Sequence, residues 1–530
     1  MNTLGDISNA VIYAISRGYQ IHPDAFAFLK SVDFSPEFIV KKIINKKEKL
    51  KEGRSILVND IKVIVGNNNN DDITSSDYDL PALNLGHKNS KDVTLGQNNV
   101  DEYQYEVLLD PTLKINSAKD EQDYIRLFQD RYQKTLKILS MRPESRRIRR
   151  IGVIKSEFNK KINKSKIGTS RRKGDLELNS RVPVQETIFV AGLLLSRKQV
   201  KNAVEIMIDD TSSGLIATAN TEQLQSQVSM LALDQMIMLE LDSTKKIGRH
   251  FLIRNIISPD IPDRIPNRST SDSYLVMISD LHVGSKYFME TEFAAFIKWL
   301  SSDDLVAKKV RFVCIAGDII DGVGIFPDQD KELNILDSGE QLVYATKLLH
   351  QIRKDIEIFI IPGNHDIGRR ALPQGSLLAF MTGAAKNFHV IGNPSLIKLN
   401  GVKVLMFHGQ SLDDIIATTP GLSYSDPAEA MKLLLKARHL SPIYGQRTPI
   451  APEKEDMLVI TEVPDIFHAG HVHIIGVERY KSTLIVNSGA WQTQTRYQMT
   501  MGILPTPAIA IIVNLSTLQP FQKHFTNFIS

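Results

Sequence analysis

Five apolar segments in the C-terminal half of this chain each end in side chains that bind metal ions. Asp, Asn or His follows each segment directly, and stretches with helical spacing of apolar residues lie between them. In an α/β (α+β layered) domain the carboxyl ends of the strands open onto one cleft, so five such endings predict one shared site. The five segments read YLVMISDLHVG, RFVCIAGDIIDG, IEIFIIPGNHD, VKVLMFHGQSLDD and PDIFHAGHVH.

One such ending alone decides little, because the Pro-Gly-Asn of the third segment is also what an ordinary turn contains. A lone histidine at a strand end is usually a hydrogen-bonded structural residue. The distribution of histidines overturns that interpretation here, since only two of the thirteen lie in the first 249 residues. The six in or beside the five endings are His282, His365, His408, His468, His471 and His473.

The donor atoms of these endings indicate which metals they suit. Asp, Asn and His without cysteine form a mixed oxygen and nitrogen set, suited to divalent manganese, iron or zinc rather than to a soft thiolate site. The single cysteine, Cys314, lies within an apolar run, so a disulfide within the chain is impossible. The donors outnumber what one tetrahedral ion requires, and they therefore predict a two-metal centre suited to phosphoryl transfer.

Composition divides the chain, 530 residues long and 42% hydrophobic, into four predicted segments. Residues 1–50 alternate short apolar stretches with turn residues, as a small helical N-terminal module does. Residues 51–181 are predicted to be a mostly disordered polar and basic linker with one helix near 120–141. An OB-fold domain is predicted at 182–270 and the layered domain at 271–530.

The OB-fold prediction rests on about five segments with period-two alternation, broken by Gly and Asp-Ser turns, with a helix-like stretch TEQLQSQVSMLA among them. Barrels of this type bind single-stranded nucleic acids, and they also serve as protein-docking modules. Phe189 is the only aromatic residue between positions 184 and 242. A docking role is therefore favoured over a platform on which bases stack.

The predicted linker contains two segments of contrasting composition. Residues 65–100 are polar and of low complexity, which predicts a disordered tether. Residues 142–173 carry thirteen Lys and Arg against two Glu, although the net charge of the whole chain is only +4. Such a segment binds polyanions by counterion release or serves as a solvated linker, and both interpretations stay open.

The sequence also bears on the cellular compartment. No apolar run approaches the ~20 residues that span a bilayer, and the N-terminus lacks the basic start and the cleavage site of a signal peptide. We therefore expect a cytoplasmic protein.

The ordered series D-x-H, G-D-x-x-D, G-N-H-D, H-G and G-H-x-H resembles the calcineurin-like metallophosphoesterase superfamily over residues 275–475. A closer resemblance covers roughly residues 105–505, where ISDLHVGSK, GDIIDGVGIFP, HGQSLDD and NSGAWQTQT are similar to the small subunits of archaeal D-family DNA polymerases. This resemblance implies a two-sheet sandwich flanked by helices at 271–530. It also implies a 3′-5′ exonuclease that proofreads during DNA replication, acts on single-stranded or frayed 3′ ends, and forms a heterodimer with a large catalytic subunit.

The resemblance further implies a role for each residue of the endings. One metal is surrounded by Asp280, His282, Asp318 and His473. Asp318 bridges to a second metal, and both ions are divalent, with manganese expected and iron, zinc or magnesium as alternatives. The further ligands of the second metal are Asn364, His408 and His471.

Two catalytic residues follow from the same resemblance. His365 faces the scissile phosphate and donates a proton to the leaving group, and Asp366 orients it. For other residues the sequence leaves alternatives open. Asp321 either supports a ligand or caps its turn, and Asp413 either contacts the loop of His408 or caps a helix. Trp491 either stacks on a nucleotide or lies in the core.

Three functions are consistent with this pattern. The first is an active exonuclease subunit, the second a non-catalytic scaffold of a polymerase, and the third a free-standing metallophosphoesterase. Every ligand position of the superfamily pattern is retained, and carboxylates gathered in a cleft are costly without cations. The enzyme is therefore favoured, and the barrel attached to it disfavours a free-standing esterase.

Overall fold

The chain divides into two compact units, Met1–Asp92 and Val93–Ser530. The segment predicted as a disordered tether, 65–100, and the end of the basic stretch, 158–173, lie outside the residues that the structure describes. This computed structural model describes residues 103–115, 122–157, 187–247 and 250–526, and parts of the range 10–61.

The first unit holds a small apolar core. Strands β1 (Gln20–Ile21) and β2 (Ser55–Ile56) pair in parallel. Residues 39–44 are helical, and Ile39, Val40, Ile43 and Ile44 are buried with Ile56 in one cluster. The prediction of a small helical module thus falls on residues of which only part is described, and it stays a prediction.

The strands of the second unit belong to one closed barrel and two six-stranded sheets. In chain order they are β3 (Tyr105–Leu109), β4 (Thr187–Val200), β5 (Ala203–Asp209), β6 (Gly214–Ala219), β7 (Met236–Ile247), β8 (His250–Ile257), β9 (Tyr274–Ile278), β10 (Val310–Ala316), β11 (Glu357–Ile361), β12 (Phe388–Val390), β13 (Ser395–Leu399), β14 (Val402–Met406), β15 (Ile466–Ala469), β16 (Ile475–Tyr480), β17 (Thr483–Ser488), β18 (Ile509–Asn514) and β19 (Gln519–His524).

Local capping signals set several helix starts in this unit. Asp337 accepts the backbone N–H of Glu340 at 2.9 Å, and Thr495 opens a capping box with Gln498. The α-helices are α1 (Gln122–Leu139), α2 (Glu222–Ser229), α3 (Glu290–Leu300), α4 (Ser338–Leu349), α5 (Leu412–Thr418), α6 (Pro427–Ala437) and α7 (Arg496–Thr500), and the 3₁₀ helices are Pro143–Arg147, Ala307–Lys309 and Gln329–Glu332.

The barrel closes in the strand order β4-β5-β6-β8-β7, with α2 between β6 and β7. Its interior is apolar, and Ile151 and Ile154 from a helical segment at 151–157 are buried in the same core cluster. Five strands and one helix thus lie where the sequence predicts a small closed barrel. The assignment of this barrel to the OB type stays a prediction.

The remaining strands form two mixed sheets. Sheet I has the order β12-β11-β10-β9-β18-β19, and the strands from β12 to β9 run parallel. Sheet II has the order β16-β17-β15-β14-β13-β3, and β14, β15 and β17 run parallel. Both sheets are therefore mixed, as expected for a layered α/β domain.

The side-chain alternation of β9 shows how the layers pack. Leu275 and Met277 contribute to the apolar cluster between the two sheets, whereas Val276 and Ile278 pack in the cluster that contains α3 and α4. On sheet II, Leu405 and Phe467 pack in a cluster with α5 and α6. The result is a sandwich of helices, sheet I, sheet II and helices, in which both sheets are buried on their two faces.

Several ordered elements lie within the stretch predicted as linker. The predicted helix is present as α1, but the sequence analysis missed β3, which pairs antiparallel with β13 at the edge of sheet II. Five residues whose partner lies almost 300 positions away carry too weak a local signal to be identified as a strand. Ordered structure also continues through Pro143–Arg147 into residues 151–157. The domain boundaries themselves stay predictions.

Among the described residues, no helix combines the length and the apolar character that a membrane span requires.

Candidate metal centre

The predicted ligands lie directly after strands that end at one cleft. Asp280 and His282 follow β9, and Asp318 follows the neighbouring parallel strand β10. Asn364 follows β11, which pairs in parallel with β10. From sheet II, His408 follows β14, and His471 and His473 follow the parallel strand β15. The convergence predicted from the five endings is thus present.

The first group of donors faces one point. The Nε2 atoms of His282 and His473 lie 3.0 Å apart. Oδ1 of Asp280 lies 3.5 Å from Nε2 of His473, and Oδ2 of Asp318 lies 3.8 Å from Nε2 of His282. These are the four residues predicted to surround the first metal.

The second group adjoins the first through Asp318. The same Oδ2 atom of Asp318 lies 3.3 Å from Nε2 of His408, which in turn lies 2.9 Å from Oδ1 of Asn364. The His471 ring lies beside the His408 ring, with 5.2 Å between centroids. Asp318 therefore stands between the two groups, as a bridging carboxylate would.

The charges of the cluster favour bound cations. Burial opposes protonation of His282, but the nearby carboxylates of Asp321, Asp318 and Asp280 outweigh it and raise its pKa to about 9. Burial acts likewise on His408, and Asp318 and Asp280 raise the pKa of that ring to about 9. Although burial works against it, the imidazoles hold the pKa of Asp318 well below its usual range. Buried carboxylates here attract positive charge.

The ring nitrogens are oriented for metal binding. Nδ1 of His282 lies 3.0 Å from the Asp321 carboxylate, and Nδ1 of His408 lies 2.8 Å from the carbonyl oxygen of Ala316. Both partners only accept, so each ring keeps a proton at Nδ1, and a cation that displaced the proton from Nε2 would meet a nitrogen lone pair beside the carboxylates. Because oxygen and imidazole donors converge in this way, the residues fit divalent cations.

The backbone is bent sharply at these positions. Five of the seven predicted ligands have left-handed backbone conformations, with φ between 50° and 69°. Such conformations are uncommon outside glycine and persist where the surrounding fold imposes them, often at functional sites. The five residues are Asp280, His282, Asp318, His471 and His473.

Two glycines of the motifs allow the backbone to approach the carboxylates. A Cβ atom on Gly363 would lie 2.1 Å from Oδ1 of Asp318, and one on Gly470 would lie 2.3 Å from Oδ2 of Asp280. Neither separation is possible for real atoms. The glycines of G-N-H-D and G-H-x-H are thus required by close packing around the acidic ligands.

His365 lines the cavity above the cluster, and its ring packs edge-to-face on His282 with 4.8 Å between centroids. Burial lowers its pKa, against the attraction of Asp318. Its Nδ1 lies 2.8 Å from the backbone carbonyl oxygen of Asp321, which orients the ring. The prediction that Asp366 orients His365 is therefore wrong.

Asp366 instead holds the loops together. One of its oxygens accepts the backbone N–H groups of Ile319 and Ile320, and the other accepts that of Gly363. These bonds fasten the loop after β10 to the loop after β11. Both carboxylate oxygens therefore accept hydrogen bonds from backbone N–H groups. The position of Asp366 next to His365 in the sequence gives no sign of these bonds.

Several supporting residues were missed or left open by sequence analysis. Asp321 is the partner of His282, and Asp413 lies 3.2 Å from Nε2 of His471. The Gln498 amide lies 2.8 Å from Nδ1 of His473. The only sequence signal for Gln498 is the Thr-x-x-Gln capping box, which predicts a helix start rather than a site.

Two other residues have structural roles. Trp491 is fully buried and packs on Phe293 and Phe296, so it does not stack on a nucleotide. His468 is buried in β15 and hydrogen-bonds with Ser488 at 3.0 Å, and burial lowers its pKa to about 3. The core is one of the two alternatives that the sequence left open for Trp491, and His468 is not among the predicted ligands.

A cavity of about 260 Å³ opens above the cluster. Its floor contains ligand candidates, including Asp318, Asn364 and His473, together with His365. Apolar residues from three separate segments line its more exposed part, which we call the mouth. The apolar rim is the set of six apolar lining residues that are exposed or half-buried: Ile325, Phe326, Tyr424, Tyr497, Met501 and Ile503.

Comparison with known proteins places this geometry in context. A family model for the DNA polymerase alpha/epsilon B subunit matches residues 275–473. The DNA polymerase II small subunit of Methanothermobacter thermautotrophicus is 34% identical over 79% of this chain and 83% of its own length. That of Archaeoglobus fulgidus is 39% identical over 61% of this chain and 67% of its own.

Solved structures resemble the chain more distantly. A novel archaeal phosphodiesterase is 13% identical, covers 47% of this chain and 98% of its own, and has a TM-score of 0.24. Vps29 from Entamoeba histolytica, solved with zinc, is 12% identical, covers 47% of this chain and 97% of its own, and has a TM-score of 0.24.

Proposed function

Because the chain belongs to the family of archaeal DNA polymerase II small subunits, we propose that it is the proofreading subunit of a replicative DNA polymerase. In this role it hydrolyses the 3′-terminal phosphodiester bond of DNA, and synthesis is carried out by a large catalytic subunit. The observation that carries the proposal is the convergence of seven Asp, Asn and His side chains from two sheets beneath one cavity.

Asp280, His282, Asp318 and His473 would hold one divalent cation, and Asn364, His408 and His471 would hold a second that shares Asp318. The chemistry that such ions supply when bound is activation of water and stabilisation of negative charge on the phosphate. Manganese is the ion we expect, with iron, zinc or magnesium as alternatives.

The residues of the chain supply positioning and a proton. Asp321 holds the His282 ring through Nδ1, and its carbonyl oxygen holds the His365 ring. Hydrolysis adds water at phosphorus and breaks the bond to the 3′ oxygen of the penultimate nucleotide. His365 provides a proton to that oxygen and regains one from the proton that the attacking water releases, so a nucleoside 5′-monophosphate leaves and a 3′-hydroxyl remains.

A non-catalytic scaffold is the alternative that the site argues against. Asp280, Asp318 and Asp321 are all buried, and no Lys or Arg forms an ion pair with them among the described residues. A scaffold gains nothing from three buried carboxylates, because each carries a desolvation cost that cations offset.

The test is hydrolysis of end-labelled DNA by the purified full chain, alone and together with its large subunit. Single-stranded DNA, a primer with a mismatched 3′ end and a fully paired primer are each incubated with and without manganese. We expect metal-dependent release of nucleoside 5′-monophosphates, fastest from unpaired ends. Absence of release in every case, with metal bound, would leave the scaffold as the function.

A further inference from the structure

The apolar rim has no role in holding metal or in transferring a proton. Tyr497 and Met501 are 57% and 47% exposed, although they are large and apolar, and they lie beside a cluster of buried charges. Exposed aromatic side chains at the mouth of a polar cavity commonly mark the place where a ligand is held. The inference below rests on the proposed function and deepens it.

One segment of the apolar rim is linked through hydrogen bonds to a candidate metal ligand. Tyr497 and Met501 are four positions apart, and therefore on one face, at helix α7. The capping box joins Thr495 to Gln498, and the Gln498 amide contacts Nδ1 of His473 at 2.8 Å. One short helix thus presents apolar side chains to the mouth of the cavity and a polar side chain to its floor.

A second segment of the apolar rim is linked through hydrogen bonds to a residue beside the candidate metal ligands. Ile325 and Phe326 lie in the loop that follows Asp321. The Gln329 amide donates to the carbonyl and carboxylate oxygens of Asp321 at 2.9 and 2.8 Å and accepts the N–H of Ile325 at 2.9 Å. Both apolar segments are therefore positioned by glutamines that contact the residues around the metal site, and Gln329 and Gln498 are positioning residues.

The volume of the cavity limits the size of the ligand. At about 260 Å³ the cavity lies just below the usual range of small-molecule sites, about 300–1,000 Å³, which suits one nucleotide unit rather than several. A terminal nucleotide whose phosphate meets the cluster has its base within reach of the mouth. Stacking on aromatic side chains is the general way in which proteins hold unpaired bases without regard to sequence.

We propose that the apolar rim binds the 3′-terminal nucleobase of the DNA strand through Tyr497 and Phe326 and thereby selects unpaired ends. A base held there has left its stack and its partner. Unstacking costs least at a mismatched or single-stranded end, so this contact favours such ends over paired ones. Selection of the substrate is then separate from the chemistry of the phosphate, which lies with the cluster.

The experiment compares two oligonucleotides that differ only at the last position. One ends in thymidine and the other in an abasic residue, and both carry the same terminal phosphodiester. Affinity and hydrolysis are measured for the full chain, for Tyr497→Ala and Phe326→Ala, and for Tyr497→Phe. Met499→Ala is the matched control, because Met499 is an exposed apolar residue of the same helix that does not line the cavity.

We expect the unaltered chain to prefer the thymidine end by roughly 5- to 100-fold, the range that one base stacking on an aromatic ring gives. Tyr497→Ala and Phe326→Ala should each reduce that preference at least several-fold. Tyr497→Phe and Met499→Ala should keep it. A 3′-terminal 5-iodouracil nucleotide, joined to the nucleotide before it by a phosphorothioate linkage that slows hydrolysis, should crosslink on irradiation to Tyr497 or Phe326.

The possible failures are distinguishable. If the unaltered chain hydrolyses neither oligonucleotide, the proposed function fails and the inference fails with it. If it hydrolyses both equally well, or if the crosslink maps away from the rim, the exonuclease stands and the inference is overturned. If the alanine variants keep the preference but no longer co-purify with the large subunit, the rim is a protein-docking surface instead.

Discussion

Asp318 is the residue on which most of the candidate site depends. Its Oδ2 lies between the Nε2 atoms of His282 and His408, and its Oδ1 accepts the backbone N–H of His365 at 2.8 Å. One carboxylate thus touches both groups of donors and the loop of the proposed proton donor. Single substitutions here and at its neighbours separate metal binding, proton transfer and loop structure.

Asp318→Asn should lower the content of bound metal and reduce nuclease activity to about 1% or less, because an amide cannot offset the charge of two cations. The fold should persist. Metal analysis, circular dichroism and hydrolysis of labelled DNA measure the three properties. Asp303→Asn, at a fully exposed carboxylate, is the matched control. Unchanged turnover in Asp318→Asn would exclude a bridging role.

His365→Ala should keep the metal content of the unaltered chain and lose ~10²–10⁴-fold in rate, because only the proton transfer is removed. Asn364→Ala, one position away, should instead lose metal. The comparison is made by metal analysis and single-turnover hydrolysis of the same preparations. Loss of an ion from His365→Ala would mean that the roles of these two neighbours are reversed.

Asp366→Asn should destabilise the fold by about 1–3 kcal/mol. In the unaltered chain both carboxylate oxygens accept backbone N–H groups, whereas in the variant the amide NH₂ would face one of these donors and leave it without an acceptor. Urea denaturation at neutral pH measures this loss. If Asp366 only oriented His365, the same variant would slow hydrolysis and leave the free energy of unfolding unchanged. The two outcomes distinguish a structural role of Asp366, in which it joins two loops, from a role in orienting His365.

At the scale of elements, helix α1 is held to the layered domain by a buried ionic network. Arg131 is 1% exposed, and its Nε donates to Asp456 at 2.7 Å while Nη1 donates to the carbonyl of Pro442. Nε2 of His439 lies 2.9 Å from the same Asp456 oxygen, and Nδ1 accepts the N–H of Ser441. His439 is therefore neutral and donates from Nε2.

This network predicts a pH dependence of stability. Burial, followed by the cations of Arg131 and Lys134, lowers the pKa of His439 to about 4, although Asp456 acts in the opposite direction. Between about 6.5 and 4 the unfolded chain binds a proton that the folded chain does not. Stability therefore falls as the pH falls through this window, by about 3 kcal/mol in total from this group.

His439→Gln should show a flatter dependence over the same window, because its amide still donates to Asp456 but does not titrate. Urea denaturation at several pH values between 7 and 4 measures both proteins. Parallel curves for the two proteins would assign the pH dependence to other groups and contradict the lowered pKa of His439.

At the scale of the whole molecule, the second unit includes more of the chain than its composition predicts. Strand β3 completes the edge of sheet II, and Leu127 of α1 is buried in the cluster that contains α5 and α6. Arg197 of the barrel donates to the carbonyl oxygens of Val228 and Thr418, and so joins the barrel to α5. The barrel and the layered domain are parts of one compact unit.

A truncated chain of residues 93–530 should therefore fold and co-purify with a large polymerase subunit as the full chain does. A chain of residues 180–530 should be several kcal/mol less stable or aggregate, because it lacks β3 and α1 and exposes the edge of β13. Thermal denaturation and co-purification measure both properties. Failure of 93–530 to assemble while folded would move the docking surface into the first unit.

The sequence by itself determined which side chains follow which strands. The apolar runs, their helical intervals and the order of the five endings are local patterns, and local patterns predict elements and the edge of the sheet at which they end. The convergence of Asp280, Asp318 and His408 was predictable for that reason. So was the family, since its motifs are contiguous stretches of sequence.

Only the tertiary structure decided which partner each side chain has. Asp366 follows His365 directly, yet it bonds to the backbone of another loop, and the carbonyl of Asp321 orients His365 instead. Strand β3 finds its partner in β13, across almost 300 residues. Such pairings depend on packing between segments that are distant in sequence. The free energy of a hydrogen bond depends on which polar groups lose contact with water when the chain folds. The residues next to a side chain in the sequence therefore do not reveal its partner.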